Sequence, residues 1–262
     1  MPGKPDCIVL ENISHRYGDK QVLTNINLSV PHGLIYGLLG PSGCGKTTTV
    51  KIMAGILEAS AGSVSVLGEA MPKLALMNRL GYMAQADALY LYLTAEENLA
   101  FFGSLYGMKK KHIAQRTLEV MALLNLTGHR TKVVMAYSGG MKRRLSLAMA
   151  LLHEPEVLIL DEPTVGIDPV LRESIWTALK TMAEHGMTII ITTHVMDEAE
   201  KCQQLAMMRD GCLIAQGTPS QIRESVQAAS LEEAFIYYGK GGHAHPDEQA
   251  AGCDCQSGHH AD

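Results

Sequence analysis

The chain has 262 residues, of which 47% are hydrophobic and 19% are charged, and its formal net charge is −5. This length predicts one large α/β domain or a core with an inserted lobe. The acidic balance and the lack of a long basic block argue against nucleic acid as a partner. No apolar run approaches the ~18 residues that span a bilayer, and the N-terminus lacks a signal-peptide layout, so a cytoplasmic chain is expected.

The first predicted elements are strands that lead into a glycine-rich loop. Strands are expected around Ile8 to Tyr17 and Val22 to Val30, and the apolar run from Leu34 to Leu39 is typical of a buried strand. The phosphate loop that follows consists of Gly40, Pro41, Ser42, Gly43, Cys44, Gly45, Lys46, Thr47 and Thr48. A strand, this spacing and a helix opening near Gly45 together predict a nucleoside triphosphate site. The alternative is a chance glycine-rich turn before a helix.

Residue types in the phosphate loop suit the chemistry of phosphate binding. The glycines let backbone amides turn inward without obstruction by a Cβ atom, and the helix N-terminus favours an anion. Lys46 can reach the β- and γ-phosphates, Thr47 can ligate Mg²⁺ through its hydroxyl, and Thr48 is expected to support the α-phosphate. The six cysteines are scattered and do not form a disulfide framework, and Cys44 would need to remain reduced.

A helical insertion is predicted after a strand from Ser63 to Leu67, over roughly residues 88 to 152. Thr94 and Glu97 form a capping box at the start of one helix. The segment from Ile113 to Leu126 has helical periodicity, with a predicted apolar stripe that includes Leu118, Met121 and Leu124. The stripe is expected to be core, with one edge exposed to a partner.

A second glycine-containing segment, Ser138-Gly139-Gly140, precedes another helical pattern. Leu145, Ala148 and Leu152 lie on one face of this pattern, and Ser138 is well placed as the N-cap. A serine hydroxyl and glycine amides at a helix start form an anion site, although the chain already has a phosphate loop. The segment therefore indicates either a site for a second nucleotide or simply a capped helix.

Two adjacent carboxylates end the next apolar run, which extends from Val157 to Leu160. A buried strand at this place would deliver Asp161 and Glu162 to the ligand crevice of a parallel sheet. Asp161 can bind the Mg²⁺ shell, and Glu162 is the candidate for polarising the attacking water. By itself such a pair is also common as a helix cap or a loop salt bridge.

The rest of the chain predicts a return to the α/β core. A helix is expected from Val170 to Glu184, and an apolar strand from Met187 to Thr193 ends at His194, in a position where histidine is more often structural. The remaining elements are two short strands and two helices. They are expected at Leu205 to Arg209, Leu213 to Gln216, Thr218-Pro219 and Leu231.

Taken in order, these segments resemble those of the ATP-binding cassette (ABC) ATPases, and the resemblance covers roughly residues 6 to 237. It implies an α/β fold in which a P-loop NTPase core of ABC type carries an antiparallel β subdomain and an inserted α-helical subdomain. ATP and Mg²⁺ are the implied cofactors. The implied domain spans residues 1–238, with the helical insertion at about 88–152.

The resemblance also assigns roles to residues that mean little alone. Ser138, Gly139 and Gly140, named here the signature segment, would contact the γ-phosphate of ATP held by the second subunit of a head-to-tail dimer. Asp168 would lie in the loop that links the two sites of that dimer, and Tyr17 would stack on adenine.

Two further roles concern catalysis and coupling. Gln85 would touch Mg²⁺ and water and transmit motion to a transmembrane partner. His194 would sense the γ-phosphate and orient the catalytic water. With Glu162, these residues are the predicted catalytic set, while Thr47, Gln85 and Asp161 are the predicted metal set.

Departures from the family pattern bear on the type of transporter. Tyr137 and Met141 replace the usual Leu and Gln at the ends of the signature, and Ala84 stands where Pro is common. The first two resemble export-type cassettes of the drug-resistance and heme-exporter kind. The implied protein is an exporter ATPase on the cytoplasmic face of the membrane, with integral-membrane subunits on a separate chain. An importer ATPase and a soluble ABC ATPase outside transport are the alternatives.

The tail from residue 239 to 262 has a composition that predicts disorder. Its potential soft or borderline metal ligands are His243, His245, Cys253, Cys255, His259 and His260. Their spacing matches no closed structural zinc site, so a flexible tail and metal binding both stay open.

Overall fold

Two β-sheets and eight α-helices form the part of the chain that the computed structural model describes, residues 6–241. In chain order the strands are β1 (Ile8–Tyr17), β2 (Lys20–Val30), β3 (Ile35–Leu39), β4 (Ala61–Val66), β5 (Glu69–Ala70), β6 (Leu80–Met83), β7 (Val157–Asp161), β8 (Thr188–Thr193), β9 (Gln204–Arg209) and β10 (Cys212–Gly217). The helices are α1 (Lys46–Met53), α2 (Ala95–Leu105), α3 (Lys110–Leu123), α4 (Gly139–Leu151), α5 (Pro169–Glu184), α6 (Met196–Ala199), α7 (Pro219–Glu224) and α8 (Leu231–Gly239).

The smaller sheet is antiparallel and has the strand order β2-β1-β4-β5. Side chains alternate along β1 on either side of a β-bulge between Leu10 and Ile13, with Ile8 and Leu10 buried before the bulge and Ile13 and His15 buried after it. This period of two is what a sheet with one covered face requires. The buried face joins a core that also contains α1 and one side of the larger sheet.

The larger sheet positions the functional residues. Its order is β10-β9-β3-β8-β7-β6, and all strands except β10 run parallel. Strands β3, β7 and β8 are buried at every position, as expected for a sheet covered on both faces. Leu39 pairs with Thr193, and Asp161 pairs with Thr192, so three neighbouring strands end at one edge. The segments after them therefore meet there.

Helices α2, α3 and α4 lie between β6 and β7 in the chain and share a core with one face of the larger sheet. The prediction for Leu118 was wrong, because this side chain is 48% exposed while Met121 and Leu124 are buried. The buried stripe of α3 runs through Ile113, Thr117 and Val120. Leu118 follows Thr117 and lies about 100° around the helix from it, which turns it to the surface. Helix α3 also ends at Leu123, earlier than predicted.

Most of the predicted elements are confirmed, including the α/β class with a separate antiparallel sheet. Thr94 forms the predicted capping box of α2, and Ser138 caps α4 by accepting a hydrogen bond from the Met141 amide at 3.3 Å. Strand β6 was not predicted. It is only four residues long and contains Gly81, where a Cβ atom would lie 2.3 Å from the Ala150 carbonyl of α4.

Among residues 6–241, every helix is too short or too polar to cross a bilayer. The boundaries proposed for the ATPase domain and its helical insertion remain predictions. The candidate metal ligands of the tail fall outside the described residues; they are His243, His245, Cys253, Cys255, His259 and His260.

Candidate functional site

The phosphate loop connects β3 to α1 and lies tightly against the chain around it. Gly43 and Gly45 have φ angles of 82° and 109°, in the left-handed region that glycine adopts without strain. A Cβ atom at Gly40 would lie 2.3 Å from the main-chain carbonyl of Met208 on β9. Only glycine fits there, so the loop can fold directly onto the sheet edge. Helix α1 begins at the end of this loop, with Gly45 as its N-cap.

Lys46 lies inside this loop and is only 4% exposed. Its Nζ donates hydrogen bonds to the carbonyls of Gly40 at 2.7 Å and Pro41 at 3.0 Å, and lies 3.8 Å from Glu162 Oε1. A buried ammonium group is costly unless its charge is balanced. The loop therefore holds a positive charge beside the N-terminus of α1, which is a favourable place for an anion.

A cavity of about 670 Å³ opens over the loop. It brings together eight of the predicted site residues, which are Ser42, Gly43, Gly45, Lys46, Thr47, Thr48, Gln85 and Glu162. The rest of its lining was not predicted and consists of Lys20, Gln21, Val22, Asp210 and Gly211. The Asp-Gly pair is a recognisable hairpin-turn signal. Its position over the loop comes from the tertiary fold, in which the Gly211 amide donates to the Cys44 carbonyl at 3.1 Å.

The two carboxylates at the end of β7 have different surroundings. Asp161 is fully buried, and its Oδ1 accepts a hydrogen bond from the Thr192 hydroxyl at 2.5 Å. Its Oδ2 is buried and has no hydrogen-bond partner among residues 6–241. Glu162 is mostly buried and has a φ of 50°, a left-handed conformation that is uncommon for a residue with a side chain. The two carboxylates therefore differ in burial and in backbone conformation.

Three predicted site residues converge on the Glu162 carboxylate. His194 Nδ1 lies 3.3 Å from Oε1, on the same oxygen that Lys46 approaches. The Gln85 side-chain amide donates to Oε2 at 3.4 Å. Two of these groups, Lys46 and His194, carry or can carry positive charge beside the carboxylate. The arrangement places an oriented carboxylate at the open side of the phosphate loop.

The buried oxygen of Asp161 tests whether the site suits a divalent cation. An unpartnered buried carboxylate oxygen is expensive, and a cation with its water shell would satisfy it. Thr47 and Gln85 supply further oxygen atoms in the cavity lining, and oxygen is the ligand type that Mg²⁺ prefers. The residues therefore fit Mg²⁺. Over residues 6–241, no cluster of three or more His, Cys, Asp or Glu side chains forms a separate metal cage.

The remaining predicted residues lie outside the cavity lining. Ser138 and Gly139 are exposed, and a Cβ at Gly140 would lie 3.0 Å from the Gly166 carbonyl, so the signature segment neighbours the loop before Asp168. Asp168 is exposed and caps α5 by accepting a hydrogen bond from the Leu171 amide at 3.0 Å. These residues are brought together with one another, but not with the phosphate loop of their own chain.

Tyr17 and Cys44 are the two other predicted residues with distinctive surroundings. Tyr17 is 50% exposed and packs edge-to-face on His15 with ring centroids 4.7 Å apart. It pairs with Lys20, which does line the cavity, so Tyr17 stands beside its rim. Cys44 carries a free and buried thiol within the loop, and burial raises the pKa of this thiol above its ordinary value.

Known proteins similar to this chain share its sequence pattern and its fold. A family model described as ABC transporter matches residues 23–165. The chain is 41% identical to a Nod factor export ATP-binding protein of Burkholderia lata, over 90% of the chain and 78% of the relative. It is 39% identical to a probable multidrug ABC transporter ATP-binding protein of Escherichia coli over 90% of its length, but spans only 42% of that relative.

A solved structure of an ATP-binding subunit of an ABC transporter superposes on the chain with a TM-score of 0.82. The two are 26% identical, and the match covers 89% of this chain and 99% of the other. The arrangement of sheets and helices is therefore shared over nearly the whole of the known subunit.

Proposed function

The chain belongs to the ABC transporter family, and on this premise we propose that it is the ATP-hydrolysing subunit of an exporter. The observation that carries the proposal is the convergence of Lys46, Gln85 and His194 on Glu162 beside a phosphate loop. Export is favoured because the relatives reported above are named for export or for multidrug transport. The signature variant with Tyr137 and Met141 supports the same direction of transport.

The proposed reaction is attack of water on the γ-phosphorus of ATP. Lys46 would exchange its bonds to the Gly40 and Pro41 carbonyls for the β- and γ-phosphates, while the loop amides and the N-terminus of α1 hold the same anion. Glu162 would accept a proton from the attacking water while the oxygen of that water forms a bond to the γ-phosphorus. The bond from that phosphorus to the bridging oxygen breaks, and ADP and phosphate leave.

The remaining residues would orient this step. His194 and Gln85 contact the two oxygens of Glu162 and would hold them in place, and both side chains would also contact the attacking water. Thr47 and Asp161 would hold Mg²⁺, with Gln85 nearby. When bound, Mg²⁺ supplies positive charge that offsets the negative charge on the β- and γ-phosphates.

A second copy of the chain, arranged head to tail, would complete each site. The signature segment is a capped helix start that is exposed and does not line its own chain's cavity. In a head-to-tail pair, Ser138 and the glycine amides would contact the γ-phosphate held by the partner, and Asp168 would lie between the two sites. Tyr17 at the cavity rim would stack on adenine.

Separate membrane-spanning subunits are the proposed partners, at the cytoplasmic face of the membrane. An exposed apolar set on and before α2 supports this proposal, and its members are Tyr90, Leu91, Tyr92, Phe101 and Leu105. Large apolar side chains that cluster at a surface mark an interaction site. The proposed ATPase domain is residues 1–238, and its helical part at about 88–152 carries this surface.

Replacing Glu162 with Gln tests the reaction. Removal of the general base is expected to lower the hydrolysis rate by ~10² to 10⁴, while ATP binding is retained. The variant should accumulate as a dimer that encloses one ATP per chain, measured by light scattering and nucleotide content. Glu184→Gln, a change at an exposed position of α5, is the matched control and should behave as the wild type. Unchanged turnover in Glu162→Gln would contradict the proposed base.

A co-expression experiment tests the membrane partner. The chain should be retained in membranes that contain its cognate spanning protein, and Tyr92→Asp or Leu105→Asp should release it while nucleotide binding persists. Leu74→Asp is a control because Leu74 is also an exposed leucine, 88% accessible, but lies outside this surface. Release of the control variant to the same extent would count against a specific surface.

A further inference from the structure

Arg143 is a buried residue of α4 whose role is not evident from the sequence alone. Its two terminal nitrogens donate to four main-chain carbonyls in two segments that are distant in the sequence. Nη1 bonds to the carbonyls of Ala84 and Gln85, each at 2.8 Å. Nη2 bonds to the carbonyl of Asp161 and, at 2.7 Å, to that of Glu162. One guanidinium group therefore joins residues 84–87, named here the glutamine segment, to the end of β7.

The charged guanidinium of Arg143 is buried, and its polar contacts fix the position of the side chain. The side chain is only 7% exposed, and Nη1 lies 3.6 Å from Asp87 Oδ1. Asp87 is itself held by the Ser146 hydroxyl at 2.8 Å, one turn further along α4. A planar guanidinium with its four terminal N–H groups directed at acceptors has little freedom to move. Two side chains of helix α4, those of Arg143 and Ser146, thus fix the helix to the glutamine segment.

Glu162 depends on the same contact for its backbone conformation. Its φ of 50° is costly for a residue with a side chain and persists only where the surroundings hold it. The Glu162 amide donates to the Thr192 hydroxyl at 2.9 Å, and the Glu162 carbonyl accepts from Arg143. Both polar main-chain groups of this residue are therefore held, one from β8 and one from α4.

The neighbouring Arg144 shows that this arrangement is specific to one position. Arg144 also donates to carbonyls, but those belong to Gly140, Leu124 and Asn125. It fixes α4 to the end of α3, away from the residues that line the cavity. Of the two adjacent arginines, only Arg143 contacts the segments that carry Gln85 and Glu162.

We propose that Arg143 is a positioning residue that holds Gln85 and Glu162 in register and links their positions to helix α4. The inference rests on the proposed function, since it concerns the same hydrolytic site. Because α4 begins at the signature segment, any displacement of that helix would be passed to both side chains through one rigid group. Arg143 touches neither substrate nor the reacting atoms, and it acts through the residues that do.

Arg143→Gln is the first variant to test. Loss of alignment at Glu162 and Gln85 is expected to lower kcat by ~10- to 10²-fold, since a small misplacement of reacting groups has effects of this size. KM for ATP and the affinity for a fluorescent ATP analogue should change by less than ~3-fold, because the phosphate loop is untouched. Arg143→Lys should recover part of kcat, since an ammonium group keeps the charge and three donors.

Arg116→Gln is the matched control. Arg116 is also a partly buried arginine whose side chain donates to two main-chain carbonyls, those of Leu151 and Leu152, but at the far end of α4. Its replacement should leave kcat within ~2-fold of wild type, whatever its effect on melting temperature. An equal fall of kcat in both variants would assign the Arg143 effect to general loosening of the helix and overturn the proposal.

A double variant tests whether Arg143 acts through Glu162. In the Glu162→Gln background, adding Arg143→Gln should lower the residual single-turnover rate by a smaller factor than it lowers the wild-type rate, because one of the two positioned groups is already lost. A further fall equal to that seen in the wild-type background would show independent action and contradict the proposal.

Amide hydrogen exchange gives a readout that does not depend on hydrolysis. In the nucleotide-free protein, Arg143→Gln should raise exchange rates by at least ~10-fold at residues 84–87 and 162–164, while those of β8 stay unchanged. Unchanged or uniformly raised exchange would overturn the positioning role. If the wild-type protein failed to hydrolyse ATP, the proposed function would fall, and the exchange pattern would still decide whether Arg143 holds the two segments together.

Discussion

Two glycine-containing segments of the chain, the phosphate loop and the signature segment, each precede a helix. They differ in whether contacts within the chain itself require glycine. In the phosphate loop, the chain's own atoms exclude a larger residue, since a Cβ would lie 2.3 Å from the Met208 carbonyl at Gly40 and 2.5 Å from Leu23 Cδ2 at Gly45. In the signature segment, a Cβ at Gly139 would meet open space. Gly139 also lacks the left-handed backbone that would call for glycine.

This difference supports the proposal that the two segments contact phosphate in different ways. The phosphate loop is closed by its own chain and surrounds a buried ammonium group, so it can bind an anion alone. The signature segment presents a hydroxyl and backbone amides on an exposed surface. A Cβ atom at Gly139 would contact nothing in its own chain among residues 6–241, so packing within the chain does not require glycine there. A group from a second chain that approaches the backbone closely would require it.

The largest expected effect comes from separating the two segments between chains. Ser138→Arg should lower hydrolysis by ~10² or more in a dimer of identical chains, because it removes a donor to the transferred phosphate and adds bulk. Lys46→Ala should weaken ATP binding and abolish turnover. A mixed dimer of these two variants retains one intact composite site and should recover roughly half of the wild-type rate if the sites are independent. Turnover is measured on dimers isolated through a tag on each chain.

The control places both changes in one chain and pairs that chain with the wild type. Such a dimer has no intact composite site, although it contains the same two substitutions. Activity in this control equal to that of the first mixed dimer would contradict a shared site and would indicate that each chain hydrolyses ATP alone.

A pair of alanine substitutions tests the contrast between the segments directly. Gly40→Ala should lower the free energy of unfolding by ~1–3 kcal/mol, because the new methyl group collides with the backbone of β9. Gly139 is the first residue of α4, and Gly139→Ala should leave the free energy of unfolding unchanged or raise it by up to ~1 kcal/mol. The hydrolysis rate of the Gly139→Ala variant should nevertheless fall on the order of 10- to 10²-fold. Urea unfolding and a phosphate-release assay separate the two outcomes, and unchanged hydrolysis would contradict an external ligand at Gly139.

Local signals in the sequence predicted those parts of the molecule whose cause is local. Thr94 and Ser138 were identified as helix caps because the capping pattern occupies adjacent residues, and both are confirmed. The fully buried strands β7 and β8 were evident as apolar runs. The polar end of β7 indicated a ligand crevice at the sheet edge, whereas the role of His194 came only from the family resemblance; the structure places the side chains of Glu162 and His194 3.3 Å apart.

The residues that sequence reasoning missed depend on distant partners. Asp210 and Lys20 line the cavity only because the β9–β10 turn and the start of β2 fold over the phosphate loop. Arg143 belongs to a run of basic residues, a pattern that is typical of an exposed surface. The residue is nevertheless buried, and its guanidinium donates to carbonyls that lie 18 to 59 positions away in the chain. Leu118 shows the opposite error, since its apolar character predicted burial and its angle around α3 exposes it.

Thiol chemistry offers a third and smaller test of the contrast. Burial raises the pKa of Cys44, so its thiolate fraction at pH 7.5 is below that of an ordinary cysteine and increases as the pH rises. A cysteine introduced by Gly139→Cys would be exposed at a helix start, where the dipole lowers a thiol pKa. Alkylation by iodoacetamide, quantified peptide by peptide, should be at least ~10-fold slower at Cys44 than at position 139. Equal rates would mean that the phosphate loop opens freely without nucleotide.

The smallest expected effect concerns the C-terminal end of α4, where His153 packs against other segments of the same chain. His153 stacks on Tyr106 with ring centroids 3.8 Å apart, and its Nε2 contacts the Leu80 carbonyl at 2.9 Å. A carbonyl only accepts, so Nε2 carries the hydrogen of the neutral ring. Nδ1 is then a buried acceptor without a partner within residues 6–241. Protonation there would create a buried and unpaired N–H, and burial, assisted by the positive charge of Arg116, accordingly lowers the pKa of His153 below 6.5.

The sign of the resulting pH dependence follows from proton counts. Below pH 6.5 the unfolded chain binds a proton at residue 153 that the folded chain does not, so the unfolding free energy falls as the pH decreases and is fully recovered above that value. One proton contributes at most about 1.4 kcal/mol per pH unit. His153→Gln, which keeps a donor for Leu80, should flatten the dependence measured by urea unfolding between pH 5 and 7. His185→Gln, a change at an exposed ring, should not. An unchanged slope in His153→Gln would show that this end of α4 tolerates the charge and is less tightly closed than its contacts indicate.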